Sequence, residues 1–236
     1  MKARTIAVGL LAAACLTGCG RQPASAQQNG GTGQAAPAAQ TTQAAYADTA
    51  LVGNSYIESF FTYDALPGAA CFYRVGLNVN SVFEQPMLQG EDTQTPVISL
   101  LEGRDFANIV FFFGENELGW SNRQAFTEQY GRVIDAARAA CPDAVIYLAA
   151  NPPVSAEASA KNEDNTSNAS IRACNAEIAQ VAQENGAVYV DSFAALAGTD
   201  GCLPADAAAD GIHPAKEYTV KWADLLKREI AEAQSK

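Results

Sequence analysis

Short apolar runs alternate with longer amphipathic stretches along most of this chain, and this alternation restricts the fold more than any other feature. The runs are rich in β-branched and aromatic residues, and they lie at residues 49–52, 71–75, 108–113, 144–148 and 187–190. The stretches carry helix formers with apolar residues at three- and four-residue spacing, at 56–65, 123–140, 170–184 and 215–233. Strands alternating with helices require crossover connections, so the sequence predicts an α/β fold with a mostly parallel, five-stranded sheet covered on both faces.

A serine follows the first predicted strand, in Gly53-Asn54-Ser55. In open α/β sheets the ligand crevice lies beyond the carboxyl ends of the strands, which is where this serine is expected. Its hydroxyl and backbone N–H would lie near a helix N-terminus, which favours developing negative charge. The segment Ser55-Tyr56-Ile57-Glu58 also fits a capping box, in which the serine only satisfies a backbone donor. Both interpretations remain open.

The only histidine, His213, lies in the acidic turn Asp210-Gly211-Ile212-His213-Pro214. Imidazole is the one side chain with an unperturbed pKa near neutrality, so any proton transfer through imidazole must use His213. Asp210 can reach the ring Nδ1–H within a single turn and stabilise the imidazolium. The turn could equally be a helix start, with Pro214 at the first helical position.

Two further residues are candidate donors to an oxyanion. Asn116 follows the third predicted strand in Gly114-Glu115-Asn116-Glu117 and could donate its side-chain amide, although asparagine is also common in turns. Gly76 follows the second strand and offers an unshielded backbone N–H, although a glycine alone indicates only a turn or a close backbone approach.

Together these residues resemble the SGNH (GDSL) hydrolase family, whose four sequence blocks carry a serine, a glycine, an asparagine and a histidine in this order. The resemblance extends from about residue 51 to residue 222. It implies a flavodoxin-like, three-layer α/β/α fold and a serine esterase or acylhydrolase. It also implies a catalytic triad of Ser55, Asp210 and His213, with an oxyanion hole formed by Ser55, Gly76 and Asn116.

The first and third blocks depart from the usual family pattern. Asn54 replaces the usual aspartate before the serine, and Glu117 replaces the aspartate that usually follows the block asparagine. Neither change removes a nucleophile, a base or an oxyanion donor, so they bear on rate and substrate range more than on reaction type. Asn54 does support one alternative function, a surface-tethered glycan-binding lipoprotein with the same fold and no turnover. An α/β-hydrolase is disfavoured because the Gly-x-Ser-x-Gly elbow lacks its second glycine.

The resemblance implies deacylation, often deacetylation, of a carbohydrate or cell-wall ester, so the expected partner is a small-molecule or polysaccharide ester. The acyl chain and the alcohol remain open. The polar stretch 151–170 follows the fourth strand, and it could overhang the crevice and shape specificity, or be a solvated loop.

The N-terminus has the layout of a secretory signal, with basic residues followed by an apolar run too short to span a bilayer. Leu16-Thr17-Gly18-Cys19 resembles the bacterial lipobox. The sequence thus predicts a lipoprotein signal peptide at residues 1–18, lipidation of Cys19, a flexible low-complexity tether at 19–47 and a hydrolase-like domain at 48–236. The expected location is extracytoplasmic, anchored to the bacterial cell membrane through the lipid on Cys19.

Charge and cysteine content exclude several classes of partner. The formal charge of −11 becomes −13 once Lys2 and Arg4 are lost with the signal, so nucleic acid is not an expected partner. No Cys-x-x-Cys pair is present and one histidine cannot supply a mixed zinc site, so no structural metal is predicted. The loop after the first strand has one glycine and few hydroxyls and would bind a phosphate poorly, so no flavin or other cofactor is predicted. The oligomeric state stays open. Of the six cysteines, Cys15 would be lost with the signal and Cys19 would carry the lipid. The four in the domain could form zero, one or two disulfides; they are Cys71, Cys141, Cys174 and Cys202.

Overall fold

A five-stranded parallel sheet forms the centre of the protein. The structure, a computed structural model, describes residues 45–90 and 92–235. The strands are β1 (Thr49–Gly53), β2 (Ala70–Tyr73), β3 (Asn108–Phe112), β4 (Val145–Ala149) and β5 (Val188–Val190). They lie in the order β2-β1-β3-β4-β5, and every neighbouring pair is parallel. The predicted strands are confirmed, with ends displaced by at most two residues.

Six α-helices connect or follow the strands within the described residues. They are α1 (Tyr56–Tyr63), α2 (Arg123–Ala140), α3 (Ala156–Lys161), α4 (Asn168–Glu184), α5 (Ser192–Leu196) and α6 (Lys216–Gln234). Three 3₁₀ segments lie at Ser81–Phe83, Val97–Leu101 and Glu163–Asn165. The four long helices agree with the predictions, whereas α3 and α5 are too short to produce a periodic pattern in the sequence. The alternative placing Pro214 at the first helical position is wrong, because α6 begins at Lys216.

Helices cover both faces of the sheet and produce the three predicted layers. Helices α2 and α4 pack on one face, and α1, α5 and α6 pack on the other. Successive residues of β3 alternate between these two cores, with Phe111 in the first and Phe112 in the second. Both rings are buried, which explains why the strand is apolar at every position.

The strand order reverses at β1, and this reversal determines where a ligand can bind. The chain proceeds from β1 to β2 on one side and continues through β3, β4 and β5 on the other. The segments that leave the carboxyl ends of β1 and β3 therefore diverge and open a crevice between them. Ser55 follows β1, and the segment Gly114–Glu117 follows β3.

Several predictions concern the N-terminal part of the chain. The signal peptide at residues 1–18 and the lipidation site Cys19 lie outside the described residues, as does most of the tether at 19–47. Between residues 45 and 235, apart from residue 91, no helix has the length and apolarity needed to cross a membrane.

The four domain cysteines are free thiols in the structure. Cys141 and Cys174 are buried, while Cys71 and Cys202 are partly exposed. Of the outcomes left open by the sequence, the structure corresponds to the one without disulfides.

Candidate active site

The structure brings together three side chains that are far apart in the sequence. Ser55 Oγ lies 2.9 Å from Nε2 of His213, although 158 positions separate the two residues. The other ring nitrogen, Nδ1, lies 2.7 Å from Oδ2 of Asp210. A hydroxyl, an imidazole and a carboxylate therefore form one continuous hydrogen-bonded chain at the carboxyl edge of the sheet.

Ser55 is held by the end of β1 and the start of α1. Gly53 fits closely against the neighbouring strand, because a Cβ at this position would lie 2.3 Å from the carbonyl oxygen of Phe112. The capping interpretation of Ser55 is wrong, since its side chain makes no cap hydrogen bond. Asn54 satisfies a first-turn donor instead, with Oδ1 accepting from the Tyr56 N–H at 3.2 Å. The Ser55 hydroxyl is thereby left for the imidazole.

The turn that carries the imidazole is organised around Asp210. Its Oδ1 accepts the backbone N–H groups of Ile212 and His213, at 2.9 and 2.8 Å. Burial alone would raise the pKa of Asp210, but the hydrogen bonds from the His213 ring and from these two N–H groups hold it below its ordinary value. The carboxylate is therefore present at neutral pH beside Nδ1.

The polar stretch after β4 supports this turn from outside. The Ser155 N–H, just before α3, donates to the Gly211 carbonyl at 2.8 Å. A cavity of about 540 Å³ lies between this stretch and the turn, and it is lined in part by Ser155, Lys161 and Asp210. The stretch therefore folds against the turn that carries His213. This differs from the alternative in which it is a solvated loop.

Three potential oxyanion donors lie beside the hydroxyl. Within the described residues, no acceptor bonds to the backbone N–H of Ser55 or of Gly76. Gly76 has a φ of +77°, a conformation that residues with a Cβ rarely adopt. The Asn116 amide donates one N–H to the Leu77 carbonyl at 2.8 Å, and since an amide carries two N–H groups, the second is left for a ligand.

Glu117 links the two loops that carry Gly76 and Asn116. In the sequence it stands out only as a departure from the family pattern. Its side chain is fully buried; Oε1 accepts from the Val79 N–H at 2.8 Å, and Oε2 accepts from the Gly114 N–H at 2.9 Å. Burial raises the pKa of Glu117 to about 7, although these N–H donors favour the ionised form. The carboxyl group thus bridges the segments that follow β2 and β3.

Asn54, the other departure, faces a second carboxylate that the sequence analysis did not single out. The Asn54 side chain is fully buried, and its Nδ2 donates to Oε2 of Glu115 at 3.4 Å. Burial raises the pKa of Glu115, the positive charge available at His213 lowers it, and nearby Asp164 and Asp210 raise it further. No local sequence signal indicates this pairing, because it joins segments 61 residues apart.

The Ser55 hydroxyl and the His213 imidazole lie in an open cleft of about 350 Å³. Its lining residues are Ser55, Glu58, Ser59, Val75, Gly76, Glu115, Asn116 and His213. Two of them are acidic and none is a lysine or an arginine. Within the described part of the chain, no cluster of three or more His, Cys, Asp or Glu side chains could hold a metal ion. The arrangement can deprotonate a hydroxyl and offer hydrogen-bond donors to a developing oxyanion.

The sequence matches a family model described as the GDSL-like lipase/acylhydrolase family over residues 73–217, more than half of the chain. The matched range contains Gly76, Asn116, Asp210 and His213, and it begins after Ser55. A comparison with curated proteins gives no match.

Several solved structures have a similar fold. A Streptococcus pneumoniae protein provisionally described as a platelet activating factor is 17% identical, with a TM-score of 0.65 over 78% of this chain and 83% of that chain. A GDSL-like lipase from Bacteroides thetaiotaomicron is 19% identical, with a TM-score of 0.58 over 78% and 88%. An active-site mutant of a family two carbohydrate esterase from Clostridium thermocellum is 14% identical, with a TM-score of 0.56 over 79% and 64%. These likenesses confirm the predicted fold class.

Proposed function

The chain belongs to the GDSL-like lipase/acylhydrolase family and is an ester hydrolase, and we propose that it works as a serine esterase with Ser55, His213 and Asp210 as its catalytic triad. The observation that carries this proposal is the 2.9 Å contact between the serine hydroxyl and the imidazole Nε2. Asp210, at 2.7 Å from Nδ1, would fix the tautomer in which Nε2 is free to accept a proton.

In the proposed first step, Nε2 of His213 takes the proton of Ser55 while Oγ attacks the ester carbonyl carbon. The carbonyl oxygen becomes an oxyanion, which the N–H groups of Ser55 and Gly76 and the amide of Asn116 would hold. Collapse of this intermediate breaks the carbon–oxygen bond to the alcohol, which leaves with the proton from the imidazolium. Water then attacks the acyl-enzyme while His213 takes a proton from it. The bond between the acyl carbon and Oγ breaks, the imidazolium returns its proton to Oγ of Ser55, and the acid is released.

We propose a short acyl group, such as acetyl, on a carbohydrate or cell-wall alcohol. Val75 is the one apolar side chain among the cleft-lining residues. A long acyl chain would therefore find few apolar side chains to pack against. The fold likeness to a family two carbohydrate esterase supports a carbohydrate as the alcohol part.

Substitution of the two groups that exchange the proton tests the triad. Ser55→Ala and His213→Ala should each lower the turnover of p-nitrophenyl acetate by about 10³-fold or more while leaving the circular dichroism spectrum unchanged, since neither side chain is part of the core. Ser121→Ala is a matched control, because Ser121 is exposed and lies outside the cleft. Turnover by Ser55→Ala or His213→Ala at the wild-type rate would rule out the triad.

A fluorophosphonate probe separates this proposal from the non-catalytic glycan-binding alternative. We expect covalent labelling of the wild-type protein, with the label on the peptide that contains Ser55, and no labelling of the Ser55→Ala variant. A protein that only binds glycan would not be labelled, because an unactivated serine does not react with the probe.

The cellular location is part of the proposal. We propose that residues 1–18 are removed, that Cys19 is lipidated, that residues 19–47 form a tether, and that residues 48–236 form the hydrolase domain outside the cytoplasm. Mass spectrometry of the mature protein should find a diacylated or triacylated Cys19 as the first residue. Cys19→Ala should abolish incorporation of labelled palmitate and move the protein out of the membrane fraction. An unlipidated mature N-terminus would contradict the anchor.

A further inference from the structure

We infer that Glu115 is a specificity-determining residue, which accepts a hydrogen bond from a hydroxyl group on the alcohol part of the ester. The inference rests on the proposed function, since it places the substrate in the cleft beside Ser55. Glu115 lines that cleft together with Ser55, Gly76, Asn116 and His213. A group bound to its carboxylate would therefore lie next to the ester that the serine attacks.

The carboxylate is held in place but is not saturated. Oε2 accepts from Nδ2 of Asn54, whose own Oδ1 is fixed by the Tyr56 N–H. Asn54 is fully buried and is not a cleft-lining residue, so it can orient Glu115 from the protein interior. Within the described residues, Oε1 of Glu115 has no hydrogen-bond donor, and no lysine or arginine lines the cleft. An ionised carboxylate offers about four acceptor positions, so most of those on Glu115 are free for a ligand.

The surroundings favour a neutral hydroxyl over a quaternary ammonium group. The cleft lining contains no phenylalanine, tyrosine or tryptophan, the side chains that usually bind such cations through their ring faces. It contains instead the hydroxyl of Ser59 and the carboxylates of Glu58 and Glu115, which suit a ligand with several hydroxyl groups. Glu58 and Glu115 would at the same time repel an anionic alcohol such as a phosphate-bearing one.

Three acetate esters separate the contributions of hydrogen bonding and charge. A monoacetylated methyl xyloside carries hydroxyl donors without charge, acetylcholine carries a positive charge without a donor, and p-nitrophenyl acetate carries neither. For each ester, kcat/KM is measured for the wild-type protein, Glu115→Ala and Glu115→Gln. Glu102→Gln is the matched control, because Glu102 is an exposed glutamate in the loop before β3.

A lost hydrogen bond to a charged acceptor corresponds to about a 10- to 100-fold change. Glu115→Ala should thus lower the ratio of kcat/KM for the xyloside ester to that for p-nitrophenyl acetate by about this factor, and Glu115→Gln should lower it less because its amide oxygen still accepts. Equal loss for all three esters, or a selective loss for acetylcholine, would overturn the inference. Neither result resembles failure of the proposed function, in which Ser55→Ala would retain turnover.

Discussion

Glu117 should make the stability of the protein decrease as the pH rises. Burial places its pKa at about 7 in the folded protein, against an ordinary value of 4.5. Between these two pH values the unfolded chain has lost the proton and the folded chain has kept it, so each increase in pH favours unfolding. The difference between these two pKa values corresponds to about 3 kcal/mol in the free energy of unfolding. This stabilisation is fully present below pH 4.5 and is lost by about pH 7.

Comparison with Glu117→Gln isolates this contribution. Glutamine stays neutral, so the variant lacks the dependence, but its NH₂ group would face one of the two backbone N–H groups of Val79 and Gly114. The mismatch should cost about 1–3 kcal/mol at every pH. The variant should therefore be less stable than the wild-type protein at about pH 5, and this deficit should disappear or reverse by about pH 8. Urea unfolding followed by circular dichroism measures both free energies across this range.

The difference between the two proteins is the deciding quantity, because all other titrating groups are common to both. It should change by about 2.5 kcal/mol between about pH 5 and pH 8. Glu102→Gln, which changes an exposed glutamate, should follow the wild-type curve. A wild-type-minus-Glu117→Gln difference that is constant with pH would refute the reasoning.

Other substitutions test the site in different ways. Asn116→Ala should lower kcat/KM for p-nitrophenyl acetate by about 10²–10³-fold, since one oxyanion donor is lost. Asp210→Asn should lower kcat by about 10²–10⁴-fold through loss of the acceptor that orients His213, with the secondary structure retained by circular dichroism. Asn54→Asp places a carboxylate 3.4 Å from that of Glu115. Ionising both carboxylates would cost about 5 kcal/mol at an effective dielectric constant of about 20. The melting temperature of this variant should therefore be below that of the wild-type protein at pH 8 and close to it at pH 4.

The sheet could be predicted because burial on both faces leaves a direct trace in the sequence. All five residues of β3 are buried, and the run Ile109–Phe113 is accordingly apolar at each position. The long helices leave an equally clear trace, since an amphipathic pattern needs several turns to become distinct. Helix α5, with five residues, provides no such pattern.

The role of Ser55 could not be decided from its neighbours, because serine at a helix start serves as a cap as readily as a nucleophile. The contact that distinguishes the two roles comes from His213, 158 positions away, and depends on tertiary packing. The first-turn hydrogen bond comes from Asn54 in place of Ser55, and the neighbouring residue types do not indicate which of the two provides it.

The contacts of Glu115 and Glu117 could not be predicted from the sequence for another reason. Glutamate is rarely buried in full unless it is paired, so its presence in a loop predicts a solvated side chain. Glu117 accepts from the N–H groups of Val79 and Gly114, and Glu115 accepts from the Asn54 amide; nothing in the residue types of these partners identifies them.

The two halves of the hydrogen-bonded chain are anchored unequally. Ser55 follows a strand whose five residues are all buried, whereas the His213 and Asp210 side chains remain 39% and 52% exposed on a turn beside a large cavity. On heating, the protein should therefore lose its hydrolase activity at a lower temperature than the one at which the sheet unfolds. Substitutions meant to preserve activity at high temperature should therefore stabilise the turn that carries Asp210 and His213. Substitutions that improve packing of the core should have little effect on that activity.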